Sequence, residues 1–285
     1  IVDAAGALNV GKAVPARLVV GGAGAVGLEF ADVSSALGSE VTVVEMLPHI
    51  AGATDADAGK ELRKALEKRG IRILTSSKVV SQKATKKGTE VTVQDVDGKQ
   101  EVIAADRVLV AVGRRPNGAG LGLDAAGVKV DERGFVPVVN DHMQTNVPHV
   151  YAIGDVARAP LLAHKAMKEG VVAAEHAAGQ PSAYDTVVPS VIYTSPELAS
   201  VGMTEEEAKA AGFEVRIGRF PLAASGRAAT LGVDSGLIKL VGDAKTDLLL
   251  GFHMVGPNAG DIVAEATLAI EMGATLEDIA LTQHP

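Results

Sequence analysis

The chain has 285 residues, enough for two domains or a little more, and a net charge of −8 with both signs interspersed. That balance leaves no basic patch, and no apolar run reaches the length of a membrane span, so neither nucleic acid nor a membrane is an expected partner and no secretory signal is expected. Cysteine is absent, which excludes disulfides and thiol chemistry within these residues; with 47% hydrophobic but only 3% aromatic residues and no Trp, the core must be Val, Ile, Leu and Ala.

The chain starts at Ile1 rather than a Met, and its native start is expected to lie elsewhere. Residues 1–14 read as a small-residue lead-in. Residues 17–45 read as strand, glycine turn, helix, strand, acid. Leu18, Val19 and Val20 run without alternation, as in a strand buried on both faces. Gly22, Gly24 and Gly27 follow at the spacing G-x-G-x-x-G. The first makes the tight turn, the second admits a pyrophosphate to the backbone, and the third lets helix and strand pack closely. Val26, Phe30, Val33 and Leu37 predict one apolar face on the helix, and Gly38 its stop. Val41, Val43 and Val44 form the second strand, with Glu45 at its end.

Glycines at this spacing are weak evidence alone. Flanked by two strands, with an acid 23 residues after Gly22, they predict a dinucleotide site. The unpaired N–H groups of the helix start favour an anionic pyrophosphate. The Glu45 carboxylate would accept from the adenosine ribose hydroxyls and repel a phosphate there. No Arg or Lys follows in Met46, Leu47 and Pro48, so the reading is NAD rather than NADP.

Residues 55–70 predict a helix, with acids early, Leu62, Ala65 and Leu66 as its apolar side, and Gly70 as its stop. Residues 71–74 are a third strand, giving βαβαβ, one mononucleotide-binding half of a doubly wound sheet. A β-rich insert follows, with strands at 78–84, 90–94 and 100–104 and turns at Lys87-Gly88 and Asp97-Gly98. Residues 107–112 are another buried strand, and Gly113 stands at its carboxyl end, where a cofactor would approach. Residues 118–137 are loop-rich. Residues 150–153 predict a short strand ending at Gly154-Asp155, and 161–178 an Ala-rich helix. Asp155 has two readings from position alone, a ligand for a sugar or ribityl hydroxyl or a helix cap.

The texture changes near Asp185. Residues 187–193, 215–220, 237–241 and 248–255 read as strands. Thr204 to Glu207 is a capping box opening a helix closed by Gly212. Residues 258–272 are a helix ended by Gly273, and Thr275 with Asp278 starts a last one. This part reads as an antiparallel sheet covered by helices, an α+β domain. His49, His142, His149, His176 and His253 are scattered and read as solvated or structural; no metal site is predicted, because metal sites need clustered ligands.

Several stretches together carry a family resemblance: GGAGAVGLEF at 21–30, VAVGRRPN at 110–117, TNVPHVYAIGDV at 145–156, LLAHKAMKEG at 161–170, VIYTSPELASVGM at 191–203, FPLAASGRA at 220–228 and GFHMVGPNAGD at 251–261. In this order they resemble the dihydrolipoamide dehydrogenase branch of the flavoprotein disulfide reductases, across the whole chain. The resemblance implies a Rossmann-like NAD domain (1–117) inserted in an FAD-binding domain, whose second segment is 118–185, followed by an α+β interface domain (186–285) that makes a homodimer. It implies that Gly22, Gly24 and Gly27 hold the NAD phosphates and Glu45 the ribose. Glu29 would lie near the nicotinamide, and Val79 and Gly113 would make further NAD contacts. On the FAD side it implies Gly154 and Asp155, the acid on the ribityl chain, and a backbone contact from Ala163.

The departures are specific. The family's FAD phosphate loop and redox cysteine pair have no counterpart here. The family's closing pattern is Thr-x-His-x-His-Pro, whose second His is the catalytic base. Thr282-Gln283-His284-Pro285 fits the first His in one register; a register with two residues deleted would make His284 the base itself. The implied reaction passes electrons from dihydrolipoamide through a disulfide and FAD to NAD, in a 2-oxo-acid dehydrogenase or glycine-cleavage complex, in bacterial cytoplasm or the mitochondrial matrix. Without thiols this chain alone is expected to bind NAD but not to turn over lipoamide, and 118–185 is expected to expose apolar surface. Two alternatives stand beside this reading. One is another reductase of the group, such as a mercuric or glutathione reductase, although Glu45-Met46-Leu47 argues against an NADP-preferring one. The other is a non-catalytic NAD-binding and dimerisation module.

Overall fold

The computed structural model describes residues 1–8, 14–52, 54–86 and 88–284. The end of the expected lead-in, at 9–13, and Lys87 of the expected turn lie outside the described residues. Two compact units are present, one made of Ile1–Gly113 with Pro189–Pro285 and the other of Arg114–Val188.

In the first unit, α1 (Ala4–Leu8) precedes β1 (Arg17–Gly21), α2 (Ala25–Ala36), β2 (Glu40–Val44), α3 (Ala56–Lys68) and β3 (Arg72–Leu74). The insert strands β4 (Ser77–Thr85), β5 (Gly88–Asp95) and β6 (Gln100–Ala105) lead to β7 (Arg107–Val110). The parallel sheet has the order β3-β2-β1-β7. Both faces are covered, and this is why its strands are uniformly apolar. Leu18, Val20, Val41 and Val43 point into a cluster with Leu28, Leu62 and Leu66 of α2 and α3. Val19, Val44 and Val108 point the other way, against Val91, Val93 and Ala105 of the antiparallel insert, whose order is β4-β5-β6. Asp55 caps α3 by accepting from the Asp57 N–H at 3.0 Å.

The expected apolar face of α2 is corrected. Its buried residues are Gly27, Leu28 and Ala31, with Val26 and Phe30 half-buried, while Val33 and Leu37 are exposed. The contact with the glycine turn is set by close approach, while Leu28 and Ala31 face the sheet. A Cβ on Gly27 would fall 2.0 Å from the Gly22 carbonyl oxygen, so the helix meets the turn at a residue without a side chain, and this rotates Leu28 and Ala31 inward in place of Val33 and Leu37. The lead-in also holds more order than expected. Val2 bridges Leu109 in parallel beside β7, and α1 follows it.

The second unit is mostly loop, with short helical turns at Leu123–Ala126 and Gly154–Val156 and one long helix, α4 (Ala163–Ala177). Val128, Val136, Ala152 and Ala157 form its small core. The strand expected at 150–153 is not formed. Only Tyr151 makes a bridge, antiparallel with Gln144. A strand needs a partner along its length, and the described residues of this unit supply one residue of it. Leu121, Val139 and Met167 are among its exposed apolar side chains.

From residue 189 the chain returns to the first unit as β8 (Ser190–Ile192), β9 (Glu197–Gly202), α5 (Glu205–Ala210), β10 (Val215–Pro221), α6 (Gly226–Thr230), β11 (Leu237–Asp243), β12 (Leu249–Gly256), α7 (Ala259–Glu271) and α8 (Leu276–Leu281). Its antiparallel sheet has the order β10-β11-β12-β9-β8. Strand β9 and helix α6 were not anticipated. The Ser195-Pro196 dipeptide before β9 reads as a turn, and Ala199 and Ser200 weaken the strand signal; pairing with β12 and β8 on either side overrides it. Capping boxes at Thr204–Glu207 and Thr275–Asp278 open α5 and α8 as expected. Ile192, Leu198 and Val255 share one core with Leu28, Leu62 and Leu66. The fold class is α/β with a Rossmann-like domain, followed by an α+β domain, as the sequence implies.

Candidate functional site

In the parallel sheet, β1 is flanked by β2 on one side and β7 on the other. The chain therefore reverses its winding direction beside β1, and in open α/β sheets the carboxyl ends of the strands at such a point are where ligands bind. All three glycines of the motif stand there, each for its own reason. Gly22 has φ +102, and a Cβ on it would fall 2.5 Å from the Ala111 carbonyl oxygen beyond β7. Gly27 fits only without a side chain, as described. Gly24 is different: a Cβ there would meet nothing within 4 Å. Close packing of the protein does not require a glycine at this position, and its backbone is open to an approaching group. Gly24 is also the N-cap of α2 and offers no side-chain cap, and no acid stands in the first turn. The first N–H groups of α2 are thus left directed out of the helix end.

Glu45 is at the carboxyl end of β2. Its Oε2 accepts from the Ala23 N–H at 2.6 Å and its Oε1 from the Leu47 N–H at 2.9 Å. Two backbone donors orient the carboxylate, and a carboxylate has about four acceptor positions, so acceptor capacity remains. Gly113 lies three residues past β7 with φ +124 and open space around a notional Cβ. Val79 lies at a register shift in the β4–β5 pairing and is exposed. Glu29 projects from α2, and its Oε1 accepts from the Tyr193 N–H at 2.9 Å. The structure therefore brings Gly22, Gly24, Gly27, Glu45 and Gly113 to the ends of β1, β2 and β7. Glu29 is turned toward the strand that follows residue 189.

In the second unit, Gly154 has φ +70 and a buried backbone. Its N–H donates to Glu169 Oε2 at 2.7 Å. Asp155 follows in the same helical turn, half-exposed, 3.3 Å from Arg114 Nη1. Ala163 is the first residue of α4, whose N-cap Leu162 offers no side-chain acceptor. Glu169 was missed by the sequence reading. It is fully buried and also binds Lys165 Nζ at 3.0 Å and Arg158 Nε at 3.2 Å. Helical spacing was the available signal: Lys165, Glu169, Val172 and Ala173 make one buried stripe, with an ion pair where an apolar pair is usual.

His284 Nε2 lies 3.0 Å from Glu265 Oε1, and both side chains are exposed. His142 and His176 stack at 4.2 Å in the second unit. His253 is buried, facing Ser200 Oγ and the Met203 carbonyl at 3.1 Å each, and burial holds its pKa below the ordinary 6.5. No cluster of metal-ligating side chains occurs among the described residues, nor any helix long and apolar enough to cross a membrane.

Comparison with known proteins shows the family. The family profile described as "Pyridine nucleotide-disulphide oxidoreductase" matches residues 1–170, and the profile for the dimerisation domain of the same group matches 188–285. The dihydrolipoyl dehydrogenase of Thermus scotoductus is 58% identical over 99% of this chain, which covers 61% of that protein. That of Cupriavidus necator is 48% identical over 99% of this chain, covering 60% of its length. The mitochondrial dihydrolipoyl dehydrogenase of Caenorhabditis elegans is 46% identical over the whole chain, covering 58%. The chain thus spans about three fifths of the length of these relatives. Among solved structures, a Cu(II) complex of the HOCl-induced flavoprotein disulfide reductase RclA from Escherichia coli superimposes with TM-score 0.91 at 25% identity, covering all of this chain and 65% of that one. LpdA from Mycobacterium tuberculosis superimposes with TM-score 0.87 at 29% identity, covering 98% of this chain and 60% of that one. By the profile matches, the chain belongs to the pyridine nucleotide-disulphide oxidoreductase family.

Proposed function

We propose that this chain is the NAD-binding, second FAD-binding and dimerisation part (1–117, 118–185 and 186–285) of a dihydrolipoamide dehydrogenase. The observation that carries the nucleotide half is the pairing of an open, side-chain-free Gly24 at the N-terminus of α2 with an acid, Glu45, at the end of the next strand. The N–H groups of α2 neutralise a pyrophosphate, and Gly22 and Gly27 keep the loop tight enough to present them. Glu45 accepts from the ribose hydroxyls and excludes a 2′-phosphate, so NAD is the nucleotide. Val79 and Gly113 would border the bound nucleotide, and Glu29 would stand on the nicotinamide side.

The residues present in the second unit also fit their part of FAD. The Gly154 backbone is pinned by Glu169, and this sets the neighbouring Asp155 carboxylate in a half-exposed position suited to ribityl hydroxyls. Ala163, at the uncapped start of α4, has a backbone N–H to offer. The cofactors supply the hydride and electron chemistry when bound; the protein holds and orients them. His284 is the histidine of the closing His-Pro sequence, either beside the base or the base itself. The chain has no cysteine, so no step of thiol chemistry is assigned to its residues.

By this reading the partners are a second copy of the chain, lipoamide, and components of a 2-oxo-acid dehydrogenase or glycine-cleavage complex, in bacterial cytoplasm or the mitochondrial matrix. The relatives include both bacterial and mitochondrial proteins. The test is a titration of the chain with NADH and NADPH, read by nucleotide fluorescence. NADH is expected to bind more than about tenfold tighter, the effect of one unfavourable charge contact. Equal affinities would refute the role of Glu45.

A second reading, a non-catalytic NAD-binding and dimerisation module, is favoured by the missing cysteines. The visible spectrum of the purified protein separates the two: a flavin band supports the dehydrogenase, and NADH binding without flavin supports the module.

A further inference from the structure

Among the described residues, Lys239 is the largest fully buried side chain, and it is charged. It sits on β11, in register with His253 on β12, and His253 in turn faces Ser200 on β9. Its Nζ lies 2.9 Å from both carboxylate oxygens of Asp55, 2.7 Å from Asp57 Oδ2 and 2.8 Å from Glu205 Oε2. Arg219 joins from β10, bridging Asp57 at 2.7 Å and Glu205 at 2.8 Å, and Lys209 completes the group at 2.6 Å from Glu205. Three cations thus balance three carboxylates. Burial works against the Lys239 charge, but its bonds to Asp57, Glu205 and Asp55 outweigh it and hold the ammonium in its charged form.

Asp55 is the pivot. Its Oδ1 caps α3 and its Oδ2 accepts the Glu205 N–H at the start of α5, at 3.3 Å. In the segment that returns from Glu45, it directly follows Thr54, whose N–H and hydroxyl both donate to the carbonyl of Ala51, at 2.8 Å each. Within that segment, the Leu47 N–H binds Glu45 Oε1, and the Ala51 N–H donates to the Ala23 carbonyl of the glycine loop at 2.9 Å. Ala51 is buried, with φ +52, a conformation that a non-glycine residue holds only under constraint. Ile50 is buried too, and a Cβ on Gly59 of α3 would lie 3.2 Å from its carbonyl oxygen. A line of contacts therefore runs from Lys239 to Asp55, along the chain to Thr54, from Thr54 to the Ala51 carbonyl, and from the Ala51 N–H to Ala23, whose own N–H donates to Glu45.

We propose that Lys239, contributed by the antiparallel sheet of the dimerisation region, is a positioning residue for the adenosine side of the dinucleotide site, acting through its grip on Asp55. The proposal rests on the reading of 17–45 as that site. Replacing the whole cluster by apolar groups of similar volume would cost little stability, whereas removing Lys239 alone leaves the buried Asp55 carboxylate without its main counter-ion. What the pair adds is direction, since it can be satisfied with Asp55 in one place only.

The test uses the 285-residue chain, with calorimetric titration of ADP-ribose and amide exchange measured in parallel. Asp55→Asn keeps a good helix cap but removes the charge. It is expected to weaken ADP-ribose binding about tenfold, and Lys239→Met by a similar factor. Exchange should quicken at the Leu47 and Ala51 amides and stay unchanged at Val19 and Val20 of β1. Lys239→Arg, which keeps the charge, should recover part of the affinity, and Lys245→Met, at an exposed site, should change nothing. Unchanged ADP-ribose affinity in folded Asp55→Asn overturns the proposal. So does faster exchange in β1 as well, which would mark general loosening. Should Lys239→Met fail to fold, Asp55→Asn decides. A wild-type chain that binds no ADP-ribose overturns the dinucleotide reading itself, and with it this proposal.

Discussion

Glu45 Oε2 accepts a 2.6 Å hydrogen bond from the N–H of Ala23, 22 residues earlier and between two glycines of the turn. The same carboxylate that would meet the ribose therefore also shapes the loop that would meet the pyrophosphate. The two halves of the site are coupled through one side chain. Glu45→Gln leaves one acceptor oxygen for two backbone donors. It is expected to weaken NADH binding about tenfold, within the range for hydrogen bonds to charged groups. Fluorescence titration with NADH checks this, and wild-type affinity would contradict it.

Gly24 and Gly27 should respond in opposite ways to a side chain. Gly27→Ala puts a Cβ 2.0 Å from a carbonyl oxygen, so the α2–β1 contact must open and the melting temperature must fall. Gly24→Val meets open space. It should still fold, losing about 1 kcal/mol because Val is a poorer helix N-cap than Gly, and lose NADH binding. A Gly24→Val protein that binds NADH normally would place the pyrophosphate elsewhere.

Acid should weaken the cluster around Lys239 in a definite window. Hydrogen bonds from Lys209, then from Lys239, hold the Glu205 carboxyl at about 2, against an ordinary 4.5. A depressed carboxyl contributes stability that is present above its unfolded value and lost as pH falls toward its folded one. That places the loss between 4.5 and about 2. Asp57, lowered first by its bond to Lys239, adds to the same loss. His253 acts earlier: its pKa is depressed, so the unfolded chain takes up a proton first and stability begins to fall below 6.5. Melting temperatures across this range should show both steps, and Glu205→Gln should flatten the lower one.

Glu169 is the buried counter-ion of Lys165 and the acceptor of the Gly154 N–H. Glu169→Ala leaves a buried ammonium unpaired, at a cost of about 3–5 kcal/mol. The second unit should then lose protection from amide exchange around Gly154, and bound flavin, if present in the wild type, should be released. Retention of both would show that the turn holds without Glu169.

Sequence reading succeeded where local chemistry and tertiary structure ask for the same residue. Gly22, Gly38, Gly70 and Gly273 all have positive φ, as turn and helix-stop positions demand. The two capping boxes formed, and uniform Val and Leu runs became the parallel strands. It failed where a long-range partner decides. The run at 150–153 has strand composition but only one bridge partner, Gln144. Residues 197–202 have weak strand composition but are paired on both sides. On α2, the close approach of Gly27 to Gly22 turned Leu28 and Ala31 inward and left Val33 and Leu37 exposed, against the periodic pattern.

The sequence by itself determined the dinucleotide motif, its acid and the absence of thiols, since spacing and composition suffice for each. It also determined most helix ends, through caps and glycines that act within a few residues. Only the tertiary structure decided that Glu45 holds Ala23 and that Lys239, 184 residues after Asp55, grips it inside the core. A strand lysine has no local mark of its partner. Whether its charge is solvated or buried against a carboxylate depends on which surface folds over it, and that is set by burial of Leu198, Val255 and their neighbours against α3, not by the residues beside it.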